Sequence, residues 1–351
     1  MTAQRAERPA VFGTGLIALD MVMSADSSQP VRSWTGGTCG NVLSILSYLG
    51  WDAYPIARLN GDAASLRVKA DLQRWGVHLD YAACAPTCAT PIIIQEIRKG
   101  KNGVPKHRFS WSCPRCGSWL PGFKPVTARC IEPIVEGMKA PHVFFMDRLS
   151  RSSLSLAAAA AKRGAVVVFE PSSKSDQRFF EEALRLAHIV KYADQRLAEF
   201  DQLGRSGSSV RLEIQTLGSE GLRFRSWLPK ARVPTWEHLP ALEAPVLADT
   251  CGSGDWCTAG LLSKIAEQGS AGLQRVSVSL LRDALRYGQA LASWNCGFEG
   301  ARGGMYQVKK VVFEREVSQI LRGDTGRSFQ RAVVPHNADP DAIACPACPL
   351  G

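Results

Sequence analysis

The chain has 351 residues, 45% of them hydrophobic and 21% charged, and 42 Lys and Arg against 32 Asp and Glu leave a formal net charge of +10. That apolar fraction excludes a disordered chain and can bury a large core, at the upper end of what one domain holds. No run reaches the ~18 apolar residues of a membrane span, and eleven cysteines in a chain of this length point to buried thiols or metal ligands rather than to the disulfide framework of a short secreted protein.

Met1 to Ala10 is polar and lacks the charged-then-apolar order of a signal peptide, so a cytoplasmic protein is expected. The basic excess is spread, with one concentration at Arg98, Lys99, Lys101, Lys106 and Arg108. No helix carries a continuous basic stripe, which argues against a nucleic-acid partner.

In chain order, Val11 to Asp20 reads as a buried strand ending in an acid, and Gly36-Gly37-Thr38-Cys39-Gly40-Asn41 is a glycine cluster opening a helix from Val42 to Leu49. Pro91 to Arg98 and His107 to Trp111, separated by a stretch with Gly100 and Gly103, read as a β-hairpin. Val143 to Met146, Val166 to Phe169 and His188 to Lys191 have the length and the β-branched or aromatic content of strands. Helix-like segments run from Leu154 to Arg163, Phe179 to Ala187, Gln195 to Leu203 and Leu280 to Trp294. This rhythm predicts an α/β fold, a mainly parallel sheet with helices on both faces. Ligands then bind outside the carboxyl ends of the strands, where Asp147, Glu170 and Asp194 fall.

The most informative stretch is Asp249-Thr-Cys-Gly252-Ser253-Gly254-Asp255, followed by a largely apolar helical run from Trp256 to Ala266. Small residues at a helix N-terminus turn backbone N–H groups toward an anion, which the helix dipole also favours. Asp255 stands at the mouth of that hole, where a carboxylate can take the proton of a hydroxyl attacking a γ-phosphate. The alternative is a plain turn with Asp255 as an N-cap.

Gly-Gly-x-x-x-Asn at Gly36, Gly37 and Asn41, then Gly61-Asp62, Thr216-Leu-Gly218-Ser-Glu-Gly221 and Asp-Thr-x-Gly-x-Gly-Asp ending at Asp255 follow one another in a set order. In that order they resemble the ribokinase-like, or PfkB, carbohydrate and nucleoside kinases over about residues 10 to 322. The resemblance implies a three-layer ribokinase-like fold over residues 8–325, with a small β-sheet lid from about 18–35 and 90–122, and it leaves 326–351 as a C-terminal tail. It implies an ATP-dependent phosphotransferase acting on a hydroxyl of a sugar, sugar derivative or nucleoside, with ATP and Mg²⁺. Asp255 is then the general base, and the N–H groups of Gly252, Ser253 and Gly254 stabilise the transferring phosphoryl group. Asp20, Gly36, Gly37, Asn41 and Asp147 contact the acceptor. Thr216, Gly218 and Gly221 lie beside the nucleotide, with Asn295 on its adenine side. A homodimer through the lid is a further expectation.

Two departures stand against a routine member. Where the family carries Asn-x-x-Glu, this chain aligns Lys191-Tyr-Ala193-Asp194-Gln-Arg196, so Asp194 supplies a carboxylate through water or Arg196 binds phosphate directly. This change, with the +10 charge, keeps open a catalytically weak ligand-sensing or nucleic-acid-binding module. The second departure is a pair of Cys-Pro-x-Cys knuckles, Cys113/Cys116 and Cys345/Cys348, which together offer four thiolates to a structural Zn²⁺. Cys84, Cys88 and Cys130 are rival partners.

Overall fold

The computed structural model describes residues 7–26, 28–84, 88–100, 105–172, 176–196 and 208–324, together with 345, 346 and 348. Its first half holds β1 (Ala10–Thr14), β2 (Ala18–Met23), β3 (Arg32–Gly36), α1 (Thr38–Tyr48), β4 (Asp52–Ile56), α2 (Ala63–Arg74), β5 (Ile92–Lys99), β6 (Pro105–Ser110), α3 (Ile131–Gly137), β7 (Val143–Met146) and α4 (Arg151–Lys162). Then come β8 (Val166–Phe169), α5 (Gln177–Leu186), β9 (Ile189–Ala193), β10 (Leu212–Thr216), β11 (Leu222–Leu228), β12 (Ala231–Leu239), α6 (Ser253–Ile265), α7 (Gly269–Leu273), α8 (Val278–Asn295), α9 (Gly303–Gln307) and α10 (Lys310–Leu321).

Strands β7 and β8 are buried at every position, as strands covered on both faces must be. Alternate residues feed two cores. Val143, Phe145, Val166 and Val168 pack with Leu43, Trp256 and Leu285 of α1, α6 and α8, while Phe144, Met146, Val167 and Phe169 pack with Leu154 and Phe180 of α4 and α5. A helix–sheet–helix sandwich follows from this period-two division. Among the described residues the central sheet has eight strands in the order β12-β11-β10-β9-β8-β7-β1-β4. β4 to β10 run parallel through this order and β11 and β12 are antiparallel.

A second sheet has the order β3-β2-β5-β6. Val11 to Asp20 is therefore two strands rather than one. The chain breaks at Gly15-Leu-Ile17, so that β1 joins the central sheet and β2 carries Asp20 into the small one. Gly15 allows the break because a side chain there would collide with the Asp147 carboxylate, 1.6 Å from an added Cβ. The expected helix from Gln195 begins instead as a turn over 194–196, and its remainder lies outside the described residues, as do most of the C-terminal tail and 101–104 of the hairpin. No helix among the described residues is long and apolar enough to cross a membrane.

Candidate active site

The parallel strands bring their carboxyl ends to one edge of the sheet, and Asp147, Glu170 and Asp194 follow β7, β8 and β9 there. Helix α6 starts at the same edge. Gly252 is its N-cap, with φ +74° and no side-chain cap, and an added Cβ would stand 2.4 Å from the carbonyl oxygen of Ala301. Only glycine fits that conformation and that space together. Asp255 is thus not an N-cap but a first-turn residue. The Ser253 N–H makes a long 3.3 Å bond to the Thr250 carbonyl, and the turn keeps the donor-rich character of an uncapped helix start.

Asp255 is buried, 8% exposed. Burial pushes its carboxyl from the ordinary 3.8 up to about 7, the Glu170 charge adds to the rise, and the Asn41 amide, Lys191 and Arg196 oppose it. Asn41 Nδ2 donates to Asp255 Oδ2 at 2.7 Å, and Asn41 Oδ1 accepts from Arg302 Nε at 3.1 Å. Arg302, fully buried, continues to Asp71 at 2.8 Å, where the Tyr306 hydroxyl also donates at 2.9 Å. The amide of Asn41 is thereby oriented, with its N–H₂ toward the carboxylate, because its oxygen faces a guanidinium.

On the other side of Asp255, Glu170 accepts from Lys191 Nζ at 2.7 Å and from Thr258 Oγ1 at 2.7 Å. An added Cβ on Gly254 would reach to within 3.4 Å of Lys191 Nζ and 3.8 Å of Glu170 Oε1. The glycine loop therefore opens onto a buried cation and a carboxylate. In the sequence Glu170 stands at a strand end with nothing to mark a role, whereas Lys191 carries a signal, since a lysine inside an otherwise apolar strand is rarely buried unless paired. Arg302 carried no comparable signal.

Asp20 is buried and pushed up to about 7 by desolvation, against the pull of the Arg302 charge and the Gly37 N–H. Its Oδ1 has no hydrogen-bond partner among the described residues. A Cβ on Gly36 would stand 1.8 Å from that carboxylate, so the first glycine of the cluster makes room for it. Asp147 accepts from the Leu16 N–H at 2.9 Å and pairs with Arg148 at 2.8 Å. Burial raises it to about 6.

Asp249, the first residue of the motif, is 1% exposed. It accepts from the N–H groups of Cys251 at 3.0 Å and Gly300 at 2.9 Å, from Gln95 Nε2 of β5 at 2.6 Å, and lies 3.5 Å from His107 Nδ1 of β6. It ties the second sheet to the glycine loop.

Thr216 ends β10, and Gly218 and Gly221 shape the turn into β11, closed by the Leu217 N–H on the Gly221 carbonyl at 2.8 Å. Asp194 is held in the neighbouring turn, its N–H on the Thr216 carbonyl at 3.1 Å. Arg196 lies close enough for its charge to be felt at Asp255 and Cys251. Asn295 sits at the end of α8. It is fully buried, its Nδ2 donating to the carbonyls of Gly300 and Ala301 and its Oδ1 accepting from the Gly304 N–H, so it holds the loop after α8. Of the cysteine rivals, Cys84 and Cys130 meet each other, Cys130 Sγ donating to the Cys84 carbonyl, apart from the two knuckles.

A mainly parallel three-layer sandwich with a small sheet beside its carboxyl edge is the ribokinase-like fold. This chain has that fold. No family model matches the chain. A curated ATP-dependent ribose-1-phosphate kinase from Halopiger xanaduensis is 24% identical over 302 residues, covering 82% of this chain and 89% of that relative. Fructokinase with bound ATP from Xylella fastidiosa is similar in structure with a TM-score of 0.63 at 16% identity, over 90% of this chain and 99% of that one. Aminoimidazole riboside kinase from Salmonella enterica gives a TM-score of 0.61 at 17% identity, over 88% and 99%.

Proposed function

We propose that this chain is an ATP-dependent phosphotransferase of the cytoplasm that moves the γ-phosphoryl group onto a hydroxyl of a sugar, sugar derivative or nucleoside. The observation that carries the reading is Asp255, buried at the uncapped start of α6 with its carboxyl raised to about 7, where a base is poised to work near neutrality.

Deprotonated Asp255 takes the proton of the acceptor hydroxyl while that oxygen forms its bond to the γ-phosphorus. The bond to the β,γ-bridging oxygen breaks and ADP departs. Charge growing on the transferring group meets the backbone N–H groups of Gly252 to Gly254 and the α6 dipole, in a site dry enough for them to count. The unpartnered Oδ1 of Asp20 supports a role in accepting a second acceptor hydroxyl, since a buried oxygen without a donor costs free energy until a ligand provides one. Thr216, Gly218 and Gly221 line the nucleotide side in this reading.

The residues around the loop fit a magnesium nucleotide. Gly254 leaves space before Lys191 and Glu170 that a side chain would fill, and Glu170 is a hard oxygen donor beside Asp255. Glu170 would help hold Mg²⁺ through water, and the ion would supply charge neutralisation to the nucleotide's phosphates. Residues 8–325 form the kinase domain, with the second sheet as a lid excluding water and as the surface of a homodimer, whose oligomeric state light scattering reads directly.

The alternative of a catalytically weak ligand-sensing or nucleic-acid-binding module is not favoured, because the glycine loop and Asp255 are intact. The test is ADP release with Mg-ATP against ribose 1-phosphate, ribose, fructose, inosine and aminoimidazole riboside, the ribose 1-phosphate arm being prompted by the Halopiger relative. With the best acceptor, Asp255→Asn should lower turnover by at least ~10²-fold while ATP still binds. Turnover equal to the parent's would remove Asp255 from the role of base.

A further inference from the structure

Residues 112–119 form a small turn just beyond β6. Ser112 and Trp119 pair as an antiparallel bridge, the Cys113 N–H donates to the Ser118 carbonyl at 2.8 Å, and the Gly117 N–H returns to the Cys113 carbonyl at 2.9 Å. The turn holds Cys113 and Cys116 on one side. At the far end of the chain, the Cys348 N–H bonds to the Cys345 carbonyl at 3.2 Å, which curls a second knuckle in the same way.

The two knuckles meet. Cys113 Sγ lies 3.6 Å from Cys348 Sγ across 235 positions of sequence, and Cys116 Sγ lies 3.8 Å from Cys345 Sγ across 229. All four sulfurs lie within 4.8 Å of one another. A tetrahedral zinc with Zn–S bonds of about 2.3 Å sets its sulfurs about 3.8 Å apart, so these separations suit a shared ion. They are far beyond the ~2.05 Å of a disulfide bond. Two disulfides would also leave the pairs no reason to crowd into one cluster.

We propose that Cys113, Cys116, Cys345 and Cys348 bind one structural Zn²⁺ as a closed four-thiolate shell that fastens the end of the chain to the turn beyond β6. Each thiol gives up its proton as it ligates, so binding releases protons and strengthens as pH rises. With all four positions taken by protein sulfur, the ion has no open place for water or substrate, and its work is to hold structure. The contact closes a loop of more than two hundred residues. It fixes the segment that follows the second sheet's last strand, and so steadies the proposed lid from outside the glycine loop. The inference does not depend on the kinase reading, because neither zinc content nor ligand spectrum involves phosphoryl transfer.

Full-length protein purified without chelator should contain about one zinc per chain, and Cys345→Ser with Cys348→Ser should bring it below about a tenth of an equivalent. Because the double variant can fail to fold, the parent is also reconstituted with Co²⁺. Thiolate-to-cobalt charge-transfer bands with the intensity of a four-sulfur tetrahedral site support the proposal. A parent that neither carries zinc nor takes up cobalt overturns it. So does a cobalt spectrum of oxygen or nitrogen ligation, parent-level zinc in the double variant, or an intact mass showing two disulfides in protein kept under reductant.

Discussion

At Asp255 burial does two things at once. It holds the proton on until about pH 7, and it places the carboxylate where its basicity is greatest when the proton leaves. After burial, the largest influence raising its pKa is the charge of Glu170, itself fixed by Lys191 and Thr258 at 2.7 Å each. Replacing Glu170 with Gln removes that repulsion and leaves the Lys191 charge less compensated. The acid limb of the kcat/KM profile, near about pH 7 in the parent, should therefore move to lower pH in Glu170→Gln, whatever happens to the maximal rate. A limb that stays in place or moves upward would show that Glu170 does not act on the base through its charge. Arg302 is the counterpart on the other side. It satisfies Asn41 and Asp71 together, and a buried pair of this kind contributes to a defined geometry more surely than to net stability.

Helix α6 and the second sheet meet through Asp249. The carboxylate is buried, and its acceptor sites are occupied by Cys251, Gly300 and Gln95, so a side chain of β5 shares one anchor with the glycine loop. Gln95→Ala should cost about 2 kcal/mol in chemical denaturation, since it strips a donor from a buried charge. It should also raise the acceptor KM more than the ATP KM, because Gln95 lies on the same face of the small sheet as Asp20, two positions beyond its register partner Ile93. Equal changes in both KM values would assign Gln95 to general scaffolding instead. The junction also explains why the hairpin, too short to be a domain, is held firmly at its base: β5 pairs with β2 as well as β6.

Over the whole molecule, the buried carboxylates oppose stability near neutral pH. Asp20 and Asp255 have folded values of about 7 and Asp147 of about 6, each raised above the ordinary 3.8 chiefly by burial. Between those values the native state binds more protons than the unfolded one, so stability is highest below the window and falls as pH rises through it. Asp62 and Glu237 have the opposite sign, lowered by their hydrogen bonds, and their contribution is lost only on further acidification. The unliganded protein should therefore melt at a lower temperature at about pH 8 than at about pH 5, and Asp20→Asn should flatten that decline. A melting temperature that climbs over the same range would contradict the burial of these carboxylates.

The sequence alone determined the layered α/β class, because strand-length apolar runs alternating with helical segments can bury their faces in few other ways. It also marked the glycine-rich start of α6 and the two separate Cys-Pro-x-Cys turns, because both are local chemistry, whereas the meeting of the turns across more than two hundred positions was left to the tertiary structure. What it left open was long-range. The break at Gly15 that sends Asp20 into a second sheet depends on the Asp147 carboxylate, more than a hundred positions away. The roles of Glu170, Lys191 and Arg302 exist only where β8, β9, α1 and the loop after α8 converge, and Asn295 could be recognised as a loop clasp only from its neighbours in space. Hydrophobic periodicity records which side of an element is covered, but it carries no mark of which distant charge a buried side chain will meet. That pairing is decided by the tertiary structure, because desolvation makes a buried charge depend on partners the chain brings in from elsewhere.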